Sequence, residues 1–99
     1  MKGRKPTAAE KKHMASVAEL GCIVCKLYMY TYTPAEIHHI DGKTKAGAHF
    51  RVLGLCYWHH RGGMHCETYT SRHPFKTEFE ECYGTEAELL AKTRELLGD

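Results

Sequence analysis

Cys22-Ile23-Val24-Cys25, Ile37-His38-His39-Ile40 and Cys56-Tyr57-Trp58-His59-His60 are the three stretches whose reading decides the fold of this chain. Cys22/Cys25 and Cys56/His59 are two pairs of soft ligands, each pair separated by two residues. Thiolates and imidazole at that gap can close a tetrahedral Zn²⁺ shell. The bland reading, buried cysteines beside a core histidine, leaves the matched spacing unexplained. A histidine pair, His38 and His39, then remains midway, and His60 stands spare beside the last ligand. Surplus histidines next to a staple point to a second site, and chemistry is expected there.

Ninety-nine residues make one small domain, and a chain of that size buries a modest core and often needs a staple. The opening Met1-Lys2-Gly3-Arg4-Lys5 has no apolar segment of the secretory type, and no apolar run approaches membrane-spanning length. A cytoplasmic location is expected, and there the five cysteines suit metal better than disulfides. The net charge is +2, unevenly spread. Residues 78–99 carry seven acids against two bases, or −5, and residues 1–77 carry twelve bases against five acids, or +7. A basic body with an acidic end suits phosphate contact on one side; an ordinary solvated surface accounts for it equally well.

Residues 1–6 read as a basic flexible arm, and residues 7–99 as a single domain. Thr7-Ala8-Ala9-Glu10 has capping-box spacing, so a helix is expected from Ala8, with Met14, Val17 and Ala18 on its apolar stripe and Gly21 as its stop. Residues 26–33, rich in tyrosine, are ambiguous between strand and loop. Ala35–Ile40 and His49–Leu55 read as strands around the basic glycine-bearing loop Lys43–Gly47. Tyr57–Arg61 reads as a short helix. Pro74 suits the first turn of a helix ending at Tyr83, and Thr85-Glu86-Ala87-Glu88 caps a last helix to Leu97. Cys82 is expected to be buried and His13 exposed. The fold class is α+β: a small zinc-stapled ββα-metal core over about residues 22–73, with C-terminal helices over about 74–97.

Knuckle, histidine-bearing strand, loop, strand, then a helix starting at the second ligand pair is an order that resembles the HNH, or His-Me finger, endonucleases. A closer resemblance runs through Gly3-Arg4-Lys5-Pro6-Thr7, Gly21 to Cys25, Thr33-Pro34-Ala35-Glu36-Ile37-His38-His39-Ile40, His49-Phe50, Leu55-Cys56, His59-His60-Arg61, Phe79-Glu80 and Tyr83-Gly84-Thr85-Glu86. It is similar to the Ref-type phage nucleases, the recombination enhancement, RecA-dependent nuclease family. The resemblance implies a metal-dependent DNA endonuclease, in the host cytoplasm if phage-encoded, working with RecA-type recombinase filaments.

Adjacent strand residues point to opposite faces, so His38 and His39 cannot share one job. The resemblance makes His39 the general base and His38 a ligand of the catalytic ion, with His60 a second. For the third it favours His73 over His65. Imidazole titrates near working pH, as a general base must. The chain contains no Asn, so the name-giving asparagine of HNH enzymes is missing; His49 takes its place, or simply packs. An all-imidazole shell suits Zn²⁺ or Mn²⁺, while Mg²⁺ prefers oxygen. Arg61 or Arg72 is expected to clamp a phosphate, and Lys43, Lys45 and Lys2, Arg4 and Lys5 of the arm to hold the DNA backbone. The acidic end is expected to face away from the DNA. The competing reading is a non-catalytic zinc-binding DNA or protein adaptor, which needs only the staple and the basic face.

Overall fold

A closed capping box starts the fold in the computed structural model, which describes residues 4–98. Thr7 donates its backbone N–H to the Glu10 carboxylate at 2.8 Å, and the Glu10 N–H donates to Thr7 Oγ1 at 3.2 Å. Two of the orphan donors of helix α1 (Ala8–Leu20) are thereby satisfied. Gly21 ends the helix at φ 82°, where a Cβ would sit 2.8 Å from the Thr33 carbonyl oxygen. The arm expected over residues 1–6 falls partly on residues 1–3, outside the described residues. Arg4 itself is anchored, its N–H donating to the Lys43 carbonyl at 2.8 Å.

The tyrosine-rich stretch resolves into two parts. Helix α2 (Ile23–Tyr28) grows directly from the knuckle, with Cys22 as N-cap and its sulfur accepting from the Cys25 N–H at 3.4 Å. The chain then turns irregularly, and Tyr30 takes the left-handed conformation at φ 53°. Tyrosine favours strands by its packing, but the knuckle has already curled the backbone into a helical turn before the tyrosines arrive.

Strands β1 (Glu36–His39) and β2 (Val52–Leu55) form the antiparallel pair, with Glu36 opposite Leu55, Ile37 opposite Gly54, His38 opposite Leu53 and His39 opposite Val52. The second strand is shorter than its expected span. Gly47 adopts φ 77° and starts a 3₁₀ turn over Ala48–Phe50, closed by the Phe50 N–H on the Gly47 carbonyl at 3.0 Å. His49 therefore lies in that turn, not in the strand.

Side chains alternate across a strand, and the register sorts the two faces. Ile37, His39, Val52 and Gly54 share one face, on which Gly54 lies against the C-terminal turn of α1. Glu36, His38, Leu53 and Leu55 share the other. There Leu53 and Leu55 join the core with Ile23, Val24, Phe79, Leu89, Leu90 and the three inner cysteines. Helix α3 (Tyr57–His60) follows β2 at once. Helix α4 (Lys76–Tyr83) begins after Pro74 rather than around it, because the turn before it is closed by the Phe75 N–H on the Ser71 carbonyl at 3.1 Å. Helix α5 (Glu86–Leu97) carries a second closed capping box, Thr85 with Glu88. Cys82, expected inside, is exposed, because α4 turns Phe79 rather than Cys82 to the core. His13, expected exposed, is half-buried against the Phe50 ring at 5.5 Å. No helix among the described residues is long and apolar enough to cross a membrane.

Gly54 is the tightest point of this packing. A Cβ there would meet the Gly21 carbonyl oxygen at 2.7 Å and the Val17 carbonyl oxygen at 3.3 Å, both backbone atoms that cannot swing away. Gly54→Ala is expected to cost about 1–3 kcal/mol, the usual penalty of overpacking, and thermal melts will show it. A midpoint equal to that of the wild type would contradict the packing described.

Candidate metal centres and active site

Cys22 and Cys25 arrive on the α1–α2 knuckle, and Cys56 and His59 on the start of α3, and all four side chains are buried. His59 Nδ1 lies 3.6, 3.5 and 3.2 Å from the sulfurs of Cys22, Cys25 and Cys56, and the Cys25 and Cys56 sulfurs are 3.8 Å apart. A tetrahedral zinc with its ordinary bond lengths needs about 3.8 Å between sulfurs and about 3.6 Å from sulfur to nitrogen. The donor set and the spacing therefore fit zinc. The thiols also compete for one proton inventory. Hydrogen bonding from Cys22 pulls the Cys56 thiol down to about 3, helped by His59, and the same bond, with burial, pushes Cys22 up. Burial raises Cys25. Three thiolates cannot coexist in a buried space without a cation, which supplies the missing charge.

The second cluster joins three elements. His38 comes from β1, His60 from the end of α3 and His73 from the turn before α4, with one ring nitrogen of each within 4.8 Å of the others. The ring centroids form a near-equilateral triangle of 5.2, 5.2 and 5.3 Å. His38 is buried, His60 half-buried and His73 exposed, so the cluster opens outward on the His73 side. Three imidazoles whose nitrogens lie this close can form, in their neutral state, a donor set for a borderline divalent ion. His73 is held below its ordinary value by burial first and then by Arg72, His38 and His60, which keeps its lone pair available. His65 stands apart, its Nδ1 3.2 Å from Thr70 Oγ1 and its ring tilted against Phe75.

His39 lies on the opposite strand face and makes a different set of contacts. Its Nε2 is 2.9 Å from His49 Nδ1, and His49 Nε2 is 2.6 Å from the Arg4 carbonyl oxygen. A carbonyl can only accept, so His49 donates from Nε2 and, when neutral, accepts at Nδ1. His39 then donates its Nε2–H, and its lone pair sits on Nδ1. Burial, then Lys43, His49 and His38, hold the His39 pKa below the ordinary 6.5.

Two carboxylates complete the picture, and the sequence reading missed both. Glu36 accepts from His60 Nδ1 at 2.8 Å and from Arg61 at 3.0 and 2.7 Å. Arg61 first and His60 second hold its pKa down at about 2. Glu86, on the first turn of α5, meets His38 Nε2 at 2.5 Å and Arg72 Nε at 3.2 Å. Burial is the largest influence on Glu86 and works to raise its pKa, yet His38 and Arg72 together carry it below the usual carboxylate value. The acidic end, expected to face away from DNA, contributes Glu86 to the surroundings of the second cluster. Of the expected phosphate contacts, Lys43 and Lys45 are exposed on the hairpin loop, Arg61 keeps an outer face in solvent, and Arg72 is largely enclosed beside Glu86. Lys2 lies outside the described residues.

A family model described as recombination enhancement, RecA-dependent nuclease matches residues 6–98. The chain belongs to that family, whose name carries both a nuclease activity and a dependence on RecA.

Zinc removal tests the four-ligand cluster. Folding of so small a domain would be coupled to a zinc held there, so Cys22→Ser, Cys56→Ser or a strong chelator is expected to abolish a cooperative melt followed by circular dichroism. A chelated, zinc-free protein that keeps its midpoint would rule out the staple.

Proposed function

We propose that this chain is a metal-dependent DNA endonuclease of the HNH type, with a ββα-metal core built from β1, β2 and α3. Zinc at Cys22, Cys25, Cys56 and His59 is structural in this reading, and His38, His60 and His73 hold a catalytic divalent ion. The convergence of three histidines from three separate elements, one residue from a further histidine outside the set, is the observation that carries it. An adaptor needs the first cluster and has no use for the second.

A divalent ion bound at the second cluster would supply charge for a phosphate oxygen and for the leaving 3′ oxygen. The chain's own residues do the rest. His39 takes the proton of the attacking water on Nδ1, and passes charge into the hydrogen bond with His49, which the Arg4 carbonyl holds in its accepting tautomer. Lys43, exposed on the hairpin loop next to the His39 strand, is available to a phosphate beside the base. Lys45 and the outer face of Arg61 extend that basic edge, and such contacts position DNA without reading its sequence. Arg72, enclosed by Glu86, supports the site from behind. RecA dependence is expressed as cleavage of DNA held by a recombinase filament, in the cytoplasm where those filaments form.

His39→Ala is expected to retain zinc, fold and DNA affinity while losing about 10²- to 10⁴-fold in nicking rate, the usual worth of a positioned base. Plasmid nicking with Mn²⁺ or Mg²⁺, with and without recombinase filaments, measures it. Wild-type cutting by this variant would remove His39 from the role. The pH profile gives a second check. A base works only when unprotonated, and His39 has its pKa below 6.5, so the acid limb of the rate should have its midpoint below pH 6.5. Removing the nearby positive charge with Lys43→Ala should move that midpoint upward.

A further inference from the structure

We infer that Glu86 is a positioning residue of the histidine cluster, fixing the tautomer and ring orientation of His38, and that Glu36 does the same for His60. The inference rests on the reading that this cluster holds a divalent ion. Two parallel relays carry it. Arg72 Nε forms an ion pair with the Glu86 carboxylate at 3.2 Å without hydrogen-bond alignment, and that carboxylate meets His38 Nε2 at 2.5 Å. Arg61 Nη2 holds the Glu36 carboxylate at 2.7 Å, and that carboxylate meets His60 Nδ1 at 2.8 Å. Each arginine is the chain neighbour of a cluster histidine, Arg61 after His60 and Arg72 before His73.

An ionised carboxylate only accepts hydrogen bonds. The imidazole nitrogen facing it must therefore carry a proton, so in the neutral ring that a metal requires the other nitrogen carries the lone pair. His38 is thus committed to an Nε2–H tautomer with Nδ1 as donor to an ion. His60 is committed to Nδ1–H with Nε2 as donor. Metal-bound histidines commonly use their second nitrogen in this way, which orients the ring and raises its basicity. His73 has only a 3.5 Å contact with Arg72 Nη1, too long to fix its tautomer.

Burial separates this role from an incidental ion pair. The Glu86 side chain is 6 % exposed and His38 is 4 % exposed. Leu89, Leu90 and Thr93 bury α5 against the domain, and Glu86 is the one carboxylate among the buried residues of that helix. Ionised groups are costly inside a fold unless partnered, and this one has the Arg72 and Lys76 charges at 3.2 and 4.0 Å and its hydrogen bond with His38. The last helix consequently supplies part of the active centre.

The test uses the full chain with zinc already in the cysteine cluster. Co²⁺ binding to the second cluster is followed by its visible absorption in wild type, Glu86→Gln and Glu36→Gln. The histidine tautomers are read from nitrogen NMR before Co²⁺ is added. Wild type should show His38 as Nε2–H and His60 as Nδ1–H. Glu86→Gln should keep its zinc, its far-ultraviolet spectrum and its first-cluster affinity, lose the fixed His38 tautomer, and bind Co²⁺ about 10- to 100-fold more weakly. Glu36→Gln, at a half-exposed position, should do the same through His60 and decides the matter if Glu86→Gln does not fold. Wild-type protein that takes up no second ion would sink the metal-site reading and this inference with it. Wild-type protein that binds the second ion, with folded variants of equal affinity and unchanged tautomers, would overturn the inference alone.

Discussion

Three thiols and an imidazole packed within 4.8 Å of one another form the constraint on which the rest of the structure depends. Without a cation their protons cannot all leave, and with one they lock the α1–α2 knuckle to the start of α3. That lock positions β2 between them, and β2 in turn fixes the register of β1. The register decides which histidine looks toward α5 and which toward α1. A one-residue slip would exchange His38 and His39 between faces, so which of the two enters the three-histidine cluster follows from the staple through the sheet.

The two halves of the candidate active centre differ in how they are supported. On the His38 side the groups are buried, charged and linked by carboxylates to arginines. On the His39 side the chain is lighter: a 3₁₀ turn at Ala48–Phe50 brings up His49, and a backbone carbonyl from Arg4 ends the relay. The arginines that a sequence reader assigns to DNA are largely occupied in holding Glu36 and Glu86. The exposed lysines of the hairpin loop are left as the freer cations at the His39 side.

Much of this was legible in the sequence because local spacing carries it. The two ligand pairs, the two capping boxes and the opposed faces of His38 and His39 follow from distances of one to three residues. The order of strands and the short helix after Cys56 follow from the same patterns. Glu86 was not legible, because it lies 48 residues from His38 and looks like one more acid in an acidic tail. Its only local signal is its place just after a helix cap, on a turn whose direction the core decides. Helix α2 was missed for the opposite reason: a local preference of tyrosines for strands was overridden by a turn already imposed by the knuckle. His49 was placed in a strand because the left-handed Gly47 that diverts it carries no signature beyond being glycine.

The central claim is that one chain holds two chemically distinct metal centres, a sulfur-rich staple and an all-imidazole site beside it. X-ray absorption at the zinc edge, on protein loaded with one and then two equivalents, tests it most directly. The account predicts three sulfurs at about 2.3 Å and one nitrogen at about 2.0–2.1 Å for the first equivalent. The second should add only nitrogen and oxygen scatterers, halving the mean sulfur number. A first equivalent with fewer than three sulfurs, or a second that binds through sulfur or not at all, would contradict it.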